Sequence, residues 1–120
     1  MAVCEAQTAK SISKAFCNPI PFVSATKHGG KLPLSEQALS VSGGAVVSCV
    51  KNSEDGEGVT VRLYDTDGVD RKETMSFCKA PSKAYICTSG EKKLAEAEIS
   101  GKTVKVDVPA YSTVTAVIYF

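Results

Sequence analysis

Carboxylates supply the first candidates for chemistry. Glu54 and Asp55 lie inside the stretch Ser48 to Asp65, SCVKNSEDGEGVTVRLYD, Asp65 closes it and Asp67 follows two residues later. Two carboxyl groups facing each other across a cleft would suit glycoside hydrolysis. Acids in a turn also serve turn geometry and solubility, and that reading needs no partner. Asp65-Thr66-Asp67-Gly68 has the opening of a calcium loop, but the later Asp or Asn and the closing Glu are missing, which excludes an EF-hand. Arg62 sits mid-strand among apolar neighbours, where an unpaired charge is costly. Glu54 or Asp55, across the same hairpin, is the expected counter-charge. A bidentate guanidinium–carboxylate pair there would fix the hairpin register.

The remaining reactive side chains are sparse. His28 is the only histidine and is followed by Gly29-Gly30. With no carboxylate or nucleophile close in sequence, the segment reads as a turn carrying an exposed imidazole. The five cysteines, Cys4, Cys17, Cys49, Cys78 and Cys87, are odd in number and lack C-x-x-C spacing. They read as small hydrophobes rather than metal ligands, and they imply a reducing compartment and a cytoplasmic location. No nucleophile elbow, P-loop or dinucleotide fingerprint is present. From the residues themselves, catalytic, cofactor-binding and metal positions are all expected to be none.

Composition narrows the partners. The chain has 120 residues, 14 basic and 13 acidic, for a net charge of +1. That balance gives no phosphate-tracking surface, so a nucleic-acid partner is not expected. No apolar run approaches the ~20 residues of a membrane span, so no membrane partner is expected either. Sugar-binding modules offer aromatic platforms. Here there is no Trp, and Tyr64, Tyr85, Tyr111 and Tyr119 are scattered along the sequence.

The elements that must position these residues are mostly strands. In the hairpin, Val59, Val61 and Leu63 alternate with Thr60, Arg62 and Tyr64, and Asp55-Gly56 with Gly58 forms the turn. Val46 to Val50 is a short apolar run, suited to a strand covered on both faces or lying at a domain contact. Thr74 to Cys78, Ala84 to Thr88, Val104 to Val108 and Thr113 to Phe120 continue the strand pattern, with turns at Asp67-Gly68 and Ser100-Gly101. Ser89 to Ala97 is the most helix-like stretch, although Leu94, Ala97 and Glu98 could begin a strand. Ser35 to Leu39 could form one helical turn. Pro19, Pro21, Pro33 and Gly29-Gly30 make Phe16 to Leu34 an extended segment. Residues 1–15 form an N-terminal arm or edge strand, with a weak apolar strip at Cys4, Ala6, Ala9, Ile12 and Ala15. The expected fold is all-β, an antiparallel β-sandwich of about six to eight short strands with little helix, over residues 16–120.

Lys51-x-x-Glu54-Asp55-Gly56-x-Gly58-x-x-x-Arg62-Leu63-Tyr64 resembles the K-x-x-E-D-x-x-x-x-x-x-R-L-Y hairpin in the C-terminal region of family 38 glycoside hydrolases, the α-mannosidases. Phe16-Cys17-Asn18-Pro19 is similar to the family's Phe-Asn-Asn-Pro segment, with Cys17 standing where Asn is more usual. Leu39-Ser40-Val41 ahead of Val46-Val47-Ser48, and the closing strands joined by Pro109-Ala110-Tyr111, are similar too. The resemblance implies the final β-sandwich of a large protein whose zinc-dependent catalytic domain lies toward its N-terminus. None of the family's catalytic or zinc positions has a match in this chain. The implied role is a non-catalytic accessory domain, inactive alone, that braces the catalytic domain of an enzyme hydrolysing terminal α-mannosides. That catalytic domain is the implied partner. Zinc belongs to it, and an oligosaccharide contact at loops edging the cleft is a further implied interaction. The alternative is a freestanding carbohydrate-binding or protein-interaction β-sandwich module.

Overall fold

The structure, a computed structural model, describes residues 6–27, 29–31, 33 and 35–120. Cys4 and the His28 position lie outside them. The chain divides into two units, Met1–Leu32 and Pro33–Phe120.

In the first unit, the part of the weak apolar strip from Ala6 to Ala15 lies in helix α1, Ala6–Cys17, not in an edge strand. Its end has a clear cause. The backbone amide and the side-chain amide of Asn18 both donate to the Lys14 carbonyl, each at 3.0 Å, so an orphan carbonyl is satisfied. Pro19 follows and cannot continue the helix. Beyond it the described residues up to Lys31 have no regular structure, as the prolines and glycines require. No helix among the described residues is long and apolar enough to cross a membrane.

The second unit is a β-sandwich. Its strands are β1 (Leu39–Ser42), β2 (Val46–Asn52), β3 (Gly58–Tyr64), β4 (Arg71–Phe77), β5 (Lys83–Cys87), β6 (Lys93–Glu96), β7 (Glu98–Ser100), β8 (Thr103–Val108) and β9 (Thr113–Tyr119). One sheet has the order β1-β4-β8-β7 and the other β2-β3-β9-β5-β6, with every pairing antiparallel. Among the described residues nine strands exceed the six to eight expected, because three short segments, β1, β6 and β7, joined the sheets. Leu39 opens β1 instead of ending a helical turn, and the helix-like stretch after Ser89 is a turn followed by β6 and β7. Its Leu94 and Ala95 alternate poorly. Pairing with β5 through a bulge between Ile86 and Cys87 overrides their local preference.

The alternations read from the sequence fill the core. Val61, Leu63, Met75, Phe77, Val104, Val106, Val108, Ala116 and Ile118 are buried between the sheets. Strand β2 is not covered on both faces. It is an edge strand, half-buried in alternation, with Val50 exposed. A bulge at Ser48 breaks its register, and the Ser48 hydroxyl donates to the Arg62 carbonyl at 3.3 Å. Such a bulge twists an edge away from pairing with another chain.

The two outer faces differ in kind. The four-stranded sheet turns Ser40, Thr74, Ser76, Lys105 and Asp107 outward, a solvated set. The five-stranded sheet turns out Thr60, Thr115, Val117 and Cys87, all of which are nonetheless buried. Something must lie over them, and that cover forms the candidate site.

Candidate functional site

The Glu54/Asp55–Arg62 pair expected from the sequence is not the arrangement built. Arg62 lies opposite Cys49, and the ladder runs on to Asn52↔Val59 before the turn begins. At roughly 3.4 Å per residue, the turn acids lie about 10 Å or more along the strand from Arg62. The guanidinium instead crosses to neighbouring strands. Its Nε donates to Thr115 Oγ1 at 3.1 Å and its Nη2 to the Ser89 carbonyl at 2.9 Å. Register is still fixed at Arg62, but by neutral oxygens on β9 and on the turn after β5.

The turn acids have other tasks. Glu54 pairs with Lys51, three residues earlier. Asp55 accepts from the Ser53 hydroxyl, from the Glu57 amide at 3.0 Å and from the Tyr119 hydroxyl at 2.7 Å. Ser53 closes the turn: its amide donates to the Gly58 carbonyl and its hydroxyl accepts from the Gly58 amide. Gly56 takes the positive φ that Asp55-Gly56 led us to expect. Gly58 is glycine for a different reason. A Cβ there would lie 2.7 Å from the Ile118 carbonyl oxygen and 3.2 Å from the Tyr119 ring, which packs over it.

Glu91 supplies the cover that the sequence reading missed. It stands in the β5–β6 turn at φ 62°, a left-handed conformation unusual for a residue with a side chain. Its nearly buried carboxylate accepts from the Glu54 amide at 2.7 Å, the Thr60 hydroxyl at 3.0 Å and Lys51 Nζ at 2.8 Å. Those donors hold its pKa below the ordinary carboxylate value, with the bond to Lys51 the largest cause. Thus the turn lies over Thr60 and, through Ser89, over Arg62. The neighbouring Cys87 is buried, and that burial raises the pKa of its thiol.

Beside this cover lies an aromatic cleft of about 330 Å3. Tyr85 and Tyr119 meet edge to face, with centroids 6.1 Å apart and ring planes at 79°. Lys93 Nζ sits 4.3 Å from the Tyr85 ring centre and 5.2 Å from that of Tyr119. The bonds from Ser53 and Tyr119 pull the Asp55 carboxyl down to about 2. The same bond pushes the Tyr119 phenol up to about 12. Two tyrosines scattered in sequence therefore become neighbours, because Lys83 pairs with Tyr119 and Tyr85 with Val117 across β5 and β9.

At the opposite end of β3, Asp65 is an internal anchor. Its Oδ1 accepts from Arg71 Nε at 2.7 Å. Its Oδ2 takes the amides of Asp67, Gly68 and Val69 at 3.1, 2.7 and 3.2 Å, and that of Tyr111 at 3.2 Å. The Arg71 bond is the main reason its pKa falls well below the usual carboxylate range. Arg71 also pairs with Asp67 at 2.6 Å. Next to it Glu73 is fully buried, with Oε1 accepting from the Ala45 amide at 2.9 Å and Oε2 without a partner among the described residues.

These arrangements hold shape. Asp55 and Glu57 both enter the aromatic cleft from the same turn, and its other lining residues bring no side-chain carboxylate to the facing wall. An acid pair for glycoside hydrolysis would need that second position. Among the described residues no group of three or more His, Cys, Asp or Glu could hold a metal ion.

A family model for the glycosyl hydrolases family 38 C-terminal beta sandwich domain matches residues 44–115. That span runs from just before β2 into β9. No curated protein and no solved structure matches the chain significantly. The matched region contains the hairpin, the Asp65 anchor and the Glu91 turn, and it covers more than half of the sequence. The chain therefore belongs to the glycosyl hydrolase family 38 C-terminal β-sandwich domain family.

Proposed function

We propose that the chain serves as a non-catalytic accessory domain of an α-mannosidase-like glycoside hydrolase. It braces the catalytic domain, and its loops edge the cleft where terminal α-mannosides are hydrolysed. The family match over residues 44–115 is the observation that carries this reading. The disposition of the acids supports it: each of Glu54, Asp55, Asp65 and Glu91 is engaged by hydrogen bonds or ion pairs that hold turns. Exposed apolar side chains support a protein partner. Ile12, Phe16, Ile20, Phe22 and Val23 are exposed in the first unit, and Val50 and Leu94 in the second. The zinc and the catalytic carboxylates belong to the partner in this reading, and the protein works in the cytoplasm. An oligosaccharide contact is part of the proposal, and the aromatic cleft is the place on the sandwich that favours it.

Mixing the chain with a family 38 catalytic domain from the same source tests the proposal. A one-to-one complex on size exclusion is expected, with no hydrolysis of a nitrophenyl α-mannoside by the chain alone. Zinc-dependent hydrolysis by the isolated chain, or the absence of any complex, overturns it.

A further inference from the structure

We infer that residues 12–24 dock on a partner protein as a helix followed by a strand, the strand adding to an open sheet edge that carboxylates surround. The inference deepens the protein contact proposed above and rests on that part of the reading. Five large apolar side chains crowd this stretch. Ile12 is 57% exposed, Phe16 86%, Ile20 90%, Phe22 92% and Val23 90%. Together they present on the order of 800 Å2, about what each side of a standard-size interface buries. Ile12 and Phe16 stand four residues apart on α1 and share one helix face.

The prolines define the strand half. Pro19 and Pro21 hold Asn18 and Ile20 away from the helical region, so the stretch is set for extension before any partner arrives. The amides of Ile20, Phe22, Val23 and Ser24 make no hydrogen bond to another backbone group among the described residues. Along an extended chain, successive residues aim their backbone groups at opposite edges. Ile20, Phe22 and Ser24 therefore share one edge, and Pro19, Pro21 and Val23 share the other. The first edge can enter a ladder. The second is blunted by two residues that lack an N–H. Such a strand fits at the margin of a sheet, with its proline edge outward. Main-chain bonds then supply affinity, and the alternate side chains supply specificity.

Backbone chemistry and charge choose the occupant. Covering Ile20, Phe22 and Val23 takes their unpaired backbone groups out of water, and those groups then need partners. A sheet edge provides them, whereas the hydrocarbon of a bilayer does not. The sandwich of a second copy is a poor match. Its exposed Val50 and Leu94 lie on β2 and β6, at opposite margins of the five-stranded sheet, and a bulge interrupts β2. Residues 6–35 contain Lys10, Lys14, Lys27 and Lys31 and no acid. The complementary surface is therefore acidic around its apolar centre.

The test is calorimetric titration of the full chain into a family 38 catalytic domain from the same source, with residue-resolved hydrogen exchange on the complex. The Ile20, Phe22 and Ser24 amides are expected to become protected while that of Val23 stays exchangeable. Ile20→Ser combined with Phe22→Ser should weaken binding about a hundredfold or more. Ser24→Pro, which removes an amide from the pairing edge, should weaken it about tenfold. Val23→Pro, on the blunt edge, should change it by less than about threefold. All these positions lie outside the sandwich unit, so its urea midpoint is the folding control. Binding indifferent to the Ile20 and Phe22 substitutions, or Val23→Pro as damaging as Ser24→Pro, overturns this inference and leaves the protein contact standing. No complex with the unsubstituted chain overturns both. A dimer of the chain in sedimentation, or binding to phosphatidylserine-containing vesicles, that takes the place of the complex and is lost in the same variants assigns the segment another surface and also overturns it.

Discussion

Glu91→Ala tests whether the β5–β6 turn is a clamp on the outer face of the five-stranded sheet. The substitution removes one acceptor from three donors. Thr60 is fully buried, so its hydroxyl cannot recover its bond from bulk water. Leaving such a donor unsatisfied costs about 1–3 kcal/mol. The Glu54 amide is exposed and exchanges its bond for water, at about 0.5–1 kcal/mol. Lys51 keeps Glu54 as a partner. The loss should total about 2–3 kcal/mol, or about 10–20 °C in Tm for a domain of this size. Backbone strain supplies an internal control. Alanine at φ 62° keeps the left-handed penalty, whereas glycine relieves about 1–2 kcal/mol of it and returns part through the entropy of the unfolded chain. Glu91→Gly should therefore be more stable than Glu91→Ala by about 0.5–1 kcal/mol. Glu91→Gln, which retains a carbonyl for Thr60, should lose the least. Urea unfolding followed by far-UV circular dichroism gives all three midpoints. A Glu91→Ala midpoint equal to that of the unsubstituted chain, or a glycine variant weaker than the alanine one, would refute the clamp.

Stability should fall in acid, because Asp55, Asp65 and Glu91 all have native pKa values below their unfolded ones. Their contribution is complete above about pH 4–5, where the unfolded carboxyls are ionised. It is lost as the pH drops through the native values, with Asp55 spent near its native value of about 2. Tyr119 gives the opposite limb. Its native pKa is raised to about 12, so its contribution holds below about 10 and disappears as the pH rises through the native value. Urea midpoints against pH should show both limbs, and Asp55→Asn should remove the alkaline one. Gly58→Ala should cost about 2 kcal/mol or more, because the added methyl meets the Ile118 carbonyl, which cannot move without breaking the β9 ladder. Ultraviolet titration of Tyr119 in that variant should show its pKa falling from about 12 as the Asp55 bond is lost. Asp65→Asn should lower the urea midpoint further than Asp67→Asn, since Asp65 anchors four backbone amides and Arg71 whereas Asp67 stands at the rim.

Much of the sandwich was legible in the sequence because a half-buried strand writes its own pattern. Val104, Val106 and Val108 had to share one face whatever they packed against, and the same holds for Val59, Val61 and Leu63. The Asp55-Gly56 and Asp67-Gly68 turns were legible for a similar reason, since both glycines take the positive φ that few other residues tolerate. The family was legible through the hairpin motif. Short strands were not. Residues 39–42, 93–96 and 98–100 hold their conformation through ladders with distant partners, and local composition says nothing of those partners.

The candidate site divides along the same line. Asp55 was visible as a turn acid and Arg62 as a charge in need of partners, because each follows from its immediate neighbours. Which partners they took depended on strand order. Placing β9 between β3 and β5 brought Thr115 to Arg62, Tyr119 to Asp55 and Tyr85 to Tyr119, across sequence separations of up to 64 residues. Glu91 became an internal carboxylate only because the β5–β6 turn folds back over Thr60. Alternation, turns and family follow from neighbours along the chain. Tertiary structure alone decided which charges met and where aromatic surface gathered, because those pairings are set by long-range register and not by spacing along the chain.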